Sequence, residues 1–187
     1  NSFNTFYEVK NRPDLIIVAN KYLFPSTYIV GLPEKSKNKY TDIIYVPYSD
    51  SLHSEELVNA GKDYLEKNIN QAFTELNAAK VKSKSSPTLG VTANISRDLI
   101  RNIITIEHID PDGFAVSDDN GKELSERVLV LIGANQSRAY RYTGSPAGAS
   151  GLAQFIKPTY KNMVSKYPEA KLIKDYNVGM ANHVNAI

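Results

Sequence analysis

Residues 134–154 read ANQSRAYRYTGSPAGASGLAQ, and the fold turns on how this stretch joins its neighbours. Before it runs Val128-Leu129-Val130-Leu131-Ile132, which has no polar face. Such a run predicts a helix buried on all sides. After it, residues from Pro158 to Tyr167 predict a further helix, with Pro168 ending it. Between the two lies a polar, Gly/Ala-rich segment that reads as a loop. The expected arrangement is a central buried helix whose C-terminal end opens into a loop rich in hydrogen-bonding and aromatic side chains. Small residues at 147–149 and Gly151 let that loop approach a ligand closely.

Working outward, Glu55 to Lys80 is helical in pattern. Leu57, Tyr64, Leu65, Ile69, Ala72, Phe73 and Leu76 share one face, and Ser54 is placed to cap it. A second helix is expected from Ser96 to Ile109, with Leu99, Ile100, Ile103 and Ile104 as its apolar stripe. Asp110-Pro111-Asp112-Gly113 should stop it, and Asn120-Gly121-Lys122-Glu123 resembles a capping box opening the central helix. A last helix should begin near Asp175. Residues 1–50 read differently. Leu15-Ile16-Ile17-Val18, Tyr28-Ile29-Val30 and Ile43-Ile44-Tyr45-Val46 are short apolar runs punctuated by prolines, which predicts two or three strands. Lys35, Lys37 and Lys39 make a basic loop there, expected to be solvated. The chain therefore divides into an N-terminal extension, 1–50, and a main domain, 51–187.

Composition narrows the chemistry. The chain has 187 residues, 42% of them hydrophobic, enough for a sizeable core. It has no cysteine, which excludes a disulfide framework and any Cys-based nucleophile or metal site. A net charge of +2 gives no reason to expect nucleic acid as a partner. No apolar run is long enough to span a membrane. The chain does not begin with Met and shows no signal-like pattern at Asn1, as expected of a processed or trimmed form. His53, His108 and His183 are not spaced as a metal site, so structural or exposed roles are expected and no cofactor is implied. The loop lacks a Walker lysine, and Ser137 and Ser145 lack the serine-hydrolase elbow.

The spacing within 134–155 is more specific than any of its parts. Gln136-Ser137 stands nine residues before Ser145-Pro146-Ala147-Gly148-Ala149-Ser150-Gly151-Leu152-Ala153-Gln154. This resembles the active-site signature of the lytic transglycosylase and goose-type lysozyme superfamily, in which a Glu-Ser pair ends a buried helix ahead of a Ser-x-x-Gly-Ala-x-Gly-Leu-x-Gln run. The resemblance is sharp over about 134–155, softer over 95–187 and absent from 1–50. It implies a mainly α, lysozyme-like catalytic domain with a small β-containing N-terminal extension. It also implies cleavage of the β-1,4 bond between N-acetylmuramic acid and N-acetylglucosamine in peptidoglycan. Glycan strands would be the partner, and the location periplasmic or secreted.

By the same resemblance, position 136 is the general acid. A carboxylic acid there would protonate the leaving oxygen, its pKa raised by apolar surroundings and by the helix C-terminus. Ser137, Ser145, Gly151 and Gln154 would line the glycan site, and Tyr140, Tyr142 and Phe155 would stack on sugar faces. This chain has Gln136, and an amide cannot donate that proton. Three accounts stand open: a Glu replaced to trap a complex, a natural glycan-binding protein that does not cut, or another carboxylate. Glu107, on the apolar stripe of its helix, is the first candidate for the last. A hydrolase would also need a base to activate water, which Asp112, Asp118 or Asp119 could supply. Asp175-Tyr176-Asn177-Val178-Gly179 invites comparison with the family's third motif. Tyr176 follows Gln154 by only 22 residues, however, so the segment is expected to start the next core helix. On that reading part of the catalytic lobe lies outside this chain.

Overall fold

Two long helices cross at a pair of glycines, and the rest of the main domain packs around them. The computed structural model describes residues 45–141 and 145–187 in full, together with the backbone of four strands preceding them. The described residues are mainly helical.

Helix α1 (Glu55–Ala78) starts where expected, with the Ser54 hydroxyl accepting from Leu57 N at 3.3 Å. Glu55 and Glu56 lie in its first turn, where the helix dipole favours negative charge. Its buried face holds Leu57, Leu65, Ile69, Ala72 and Phe73 of the expected stripe, with Val58, Gly61 and Asn68 added. Tyr64 and Leu76 are half-buried.

Helices α2 (Arg97–Ile106), α3 (Pro111–Ala115) and α4 (Lys122–Asn135) follow. Ser96 caps α2, accepting from Leu99 N at 3.0 Å. The expected stripe of α2 is only partly covered. Ile104 is buried and Ile100 half-buried, but Leu99 and Ile103 are 49% and 45% exposed. Only one edge of this helix meets α1 and α4, so half of its apolar face stays in solvent. Asp110 does not act as a stop. Its carboxylate accepts from Asp112 N and Gly113 N, which starts α3 with Pro111 in the first turn. The capping box at 120–123 is corrected as well. Gly121 is the N-cap in a left-handed conformation, and it is Asp119 whose carboxylate accepts from Gly121 N and Glu123 N.

Of the central apolar run, Val128, Leu129, Val130 and Ile132 are buried and Leu131 half-buried. Helix α4 lies against α1 so closely that a Cβ on Gly61 would sit 2.0 Å from Leu129 O. One on Gly133 would sit 2.3 Å from Leu57 O. Helix α5 (Lys157–Lys166) begins with Pro158 in its first turn, and Pro168 opens a single 3-10 turn after it. Asp175 caps α6 (Tyr176–Ala181), accepting from Asn177 N and Val178 N. Asn182 ends α6 and caps α7 (His183–Ala186), so the expected last helix is broken in two.

In the N-terminal segment β1 (Asn4–Val9) pairs antiparallel with β2 (Arg12–Asn20), and β3 (Tyr22–Pro25) with β4 (Tyr40–Ile43). The run Leu15–Val18 falls within β2, and Ile43 ends β4. Tyr28-Ile29-Val30 and the lysines at 35, 37 and 39 lie outside the described residues. No helix among the described residues is long and apolar enough to cross a membrane.

Replacing Gly61 or Gly133 by Ala tests the crossing. Alanine gains about 1 kcal/mol of helix propensity over glycine. Overpacking of a tight contact costs about 1–3 kcal/mol or more, and here the opposing atoms are backbone. Each variant is expected to lose about 2 kcal/mol net in urea denaturation. An unchanged or raised midpoint would show that the helices do not meet there.

Candidate functional site

Helix α4 delivers its last residue, Asn135, into a clamp. Its Oδ1 accepts from Val46 N and its Nδ2 donates to Val46 O, both at 2.9 Å, and Nδ2 also donates to Leu131 O at 3.0 Å. The side chain thus pairs with the backbone at Val46 as a neighbouring strand would, and it ties the helix end to the segment before α1. Sequence reasoning missed this residue. The available signal was an asparagine closing an apolar helix.

Gln136 follows immediately, with φ 47° and ψ −118°. Side-chain-bearing residues seldom adopt this conformation, and holding one there costs about 1–3 kcal/mol. The residue is exposed, and its amide makes no hydrogen bond among the described residues. The expectation of an apolar wall around position 136 is therefore corrected. A carboxyl at this place would face water and lack the desolvation that raises an acid's pKa. Only the C-terminal end of α4 would push it upward. Ser137 is likewise exposed, within a single 3-10 turn, Gln136–Arg138, closed by Ala139 N donating to Gln136 O at 2.9 Å.

The chain then dives inward. Tyr140 is buried, with its ring stacked on His108 at 3.4 Å between centroids and 9° between planes. It is a packing residue and not a sugar platform, because both its position and its ring face are taken by the core. Burial pushes its hydroxyl pKa well up. Tyr142 lies outside the described residues.

From Ser145 the loop folds on itself. Ser145 Oγ accepts from Ala149 N at 3.1 Å, Ser145 N donates to Ala149 O, and Gly148 N donates to Ser145 O. Ser150 and Phe155 form an antiparallel bridge. Gly151 is buried at φ 75°, and a Cβ there would meet Met180 O at 2.7 Å, so α6 and the loop are in backbone contact. Gln154 takes φ 48° and donates Nε2 to Gly151 O at 2.8 Å. Ser145, Gly151 and Gln154 thus hold the loop's shape. Tyr176 locks it from α6. Its hydroxyl donates to Phe155 O at 2.5 Å, with Gly148 O 3.1 Å away, and accepts from Ser150 Oγ at 2.8 Å. The segment 175–179 starts a helix as expected, and its tyrosine serves the loop.

Phe155 is half-buried and lines an apolar groove of about 470 Å³, together with Ala72, Leu76, Tyr160, Met163 and Ile187. Gln136 does not line this groove, so the structure does not bring Phe155 and Gln136 to one cavity.

Two histidines, His183 buried and His108 half-buried, hold the loop from below, which sequence reasoning missed beyond expecting a structural role. His183 Nε2 donates to Ala139 O at 3.2 Å, and its Nδ1 faces the Tyr64 hydroxyl at 3.1 Å. His108 Nε2 donates to Leu152 O at 2.8 Å. Burial lowers both to about 4. His53 bridges the Tyr48 hydroxyl and Glu126 at 2.9 and 3.2 Å.

The other carboxylates weighed for the chemistry are exposed. Glu107 ends α2 and is exposed, so it lacks the desolvated setting expected of a second acid. Neither nearby arginine takes it. Arg101 pairs with Glu66 at 3.1 Å and with Asp98, and Arg97 reaches Asn70. Asp119 is engaged at the start of α4, and Asp112 and Asp118 are exposed. No group of three or more metal-ligating side chains occurs among the described residues. No protein-family model, curated protein or solved structure matches this chain.

Two outcomes are expected. Gln136→Gly should raise stability by about 1 kcal/mol, because relief of strain outweighs glycine's extra entropy cost. Stability that falls would mean the side chain is supported. Second, both histidines are neutral when folded and ordinary, at 6.5, when unfolded. Unfolding then takes up protons between those values. Stability in urea should be full above pH 6.5, fall as the pH drops toward 4, and level off below. A flat profile across that window would contradict their burial.

Proposed function

We propose that residues 136–155 form a glycan-binding site of the muramidase type, held in a cleavage-incompetent state by Gln136. The observation that carries this reading is Gln136 itself, an exposed polar side chain in strained backbone at the end of a buried helix. Strain of this kind persists where the surroundings over-determine it, and it concentrates at functional sites. Gln136 and Tyr140 take positive φ at 47° and 55°, and Gln154, Gly148 and Gly151 do so too. The family signature falls on the same residues.

The substrate class is the peptidoglycan glycan strand, and the parent reaction is breakage of its muramic acid to glucosamine β-1,4 bond. The acid at 136 protonates the leaving oxygen as the bond breaks. Gln keeps the shape and hydrogen-bonding reach of Glu but has no proton to give. Because position 136 faces water, the pKa of a Glu there would be raised only on glycan binding, when sugar displaces solvent. The same reading makes the main domain lysozyme-like, residues 1–50 a small β-containing extension, and the location periplasmic or secreted. Binding without cleavage is the natural second reading, favoured by the amide that the chain carries.

The test compares this chain with Gln136→Glu on purified peptidoglycan, with mass spectrometry of the products. Cleavage by the Glu form alone is expected, at about 100-fold or more over the Gln form, as loss of a general acid implies. Anhydro-muramic ends would identify a transglycosylase and reducing ends a hydrolase. Binding by both forms with cleavage by neither would leave the binding reading, and binding by neither would sink the proposal.

A further inference from the structure

We propose that His108 and His183 are positioning residues of this glycan site, and that protonating them releases the loop that forms it. The inference rests on the reading of 136–155 as a glycan site.

The geometry is a two-point clamp from outside the loop. Ala139 O, three residues after Gln136, is held by His183 from α7. Leu152 O, two residues before Gln154, is held by His108 from the turn after α2. Between these points Tyr176 of α6 engages Ser150 Oγ and approaches Gly148 O, so the two histidines are the anchors at Ala139 and Leu152. Both anchors are ring N–H donors to carbonyl oxygens, which sets the Nε2-protonated neutral form for each. His183 Nδ1 is then the acceptor for the Tyr64 hydroxyl, whose ring meets it edge-on. His108 lies flat on Tyr140.

The charged groups that bear on the rings oppose protonation. The positive charge of Arg141 bears on His183, and a charged His183 would bear on His108. The phenols of Tyr64 and Tyr140 also pack against them. A second proton on either ring would place a cation in a buried site beside other cationic or neutral groups. Moving the ring out to water relieves this, and it withdraws the hydrogen bond to Ala139 O or Leu152 O.

Backbone hydrogen exchange of Ala139, Gly148, Ser150 and Gln154, taken across pH 4 to 7, reads the clamp directly, because each of these N–H groups is bonded within the loop. Protection corrected for intrinsic exchange should fall about tenfold per pH unit for each histidine released, between 6.5 and about 4. His108→Gln and His183→Gln keep an N–H donor with no charge to gain. Each single variant should flatten the profile by its own share and remain folded by circular dichroism. Binding of a soluble tetrasaccharide of alternating N-acetylglucosamine and N-acetylmuramic acid, measured by calorimetry, should weaken in step with the loss of protection. A profile unchanged in both variants would overturn the histidines as its source. Binding equal at pH 4 and 7 would overturn their positioning role. No binding at any pH, with protection still histidine-dependent, would overturn the glycan reading itself.

Discussion

Helices α1 and α4 touch through backbone, Gly61 against Leu129 O and Gly133 against Leu57 O, and this contact sets what the rest of the main domain can do. Interiors are packed like crystals, so an approach that allows no Cβ fixes both the separation and the register of the two helices. With the register set, Leu65, Ile69, Val128 and Ile132 meet in one cluster, and Leu57, Val58, Leu129 and Val130 in another. The C-terminal end of α4 is then placed beside the segment preceding α1. Asn135 can pair with Val46 there, and Gln136 emerges at a defined point on the surface.

Among the described residues beyond Gln136, the loop carries only a 3-10 turn at Gln136–Arg138 and the bridge between Ser150 and Phe155. Hydrogen bonds from His183, His108 and Tyr176 fix three of its carbonyl oxygens, Ala139, Leu152 and Phe155, with Gly148 O also 3.1 Å from the Tyr176 hydroxyl. Each donor comes from a different element, so the loop integrates the positions of α2, α6 and α7. Buried rings are well suited to this task, because a donor in an apolar setting has no water to compete for its proton. Their cost is pH sensitivity, since the same burial makes a charged imidazole unfavourable.

The helices were legible because their signals are local. Ser54 caps the helix it was expected to cap, the second helix starts at the expected Ser96, and the apolar patterns of α1 and α4 give the buried faces. Local signals misled where a side chain had a choice of partner. Asp110 opens a short helix although Asp-Pro-Asp-Gly also reads as a stop, because a carboxylate followed by proline serves both purposes. Leu99 and Ile103 belong to a correct stripe, yet among the described residues they stay 49% and 45% exposed. Of the residues expected at the site, Gln136, Ser137, Ser145, Gly151 and Gln154 lie along one continuous loop. Tyr140 turns inward, and Phe155 faces a separate groove.

Taken alone, then, the amino-acid order determined the long helices α1 and α2, where the buried central helix runs and where its terminal loop begins, but not α3 or the break between α6 and α7. Periodicity and caps act over a few residues. Only the tertiary structure decided that Gln136 faces water in strained backbone, that Tyr140 is core, and that two histidines hold the loop by its carbonyls. Those outcomes depend on atoms brought together from 44 to 119 positions apart, as between His108 and Leu152 or Tyr64 and His183. Such contacts form because the glycine crossing leaves one arrangement of the surrounding helices, and no pattern within a single helix encodes that distance.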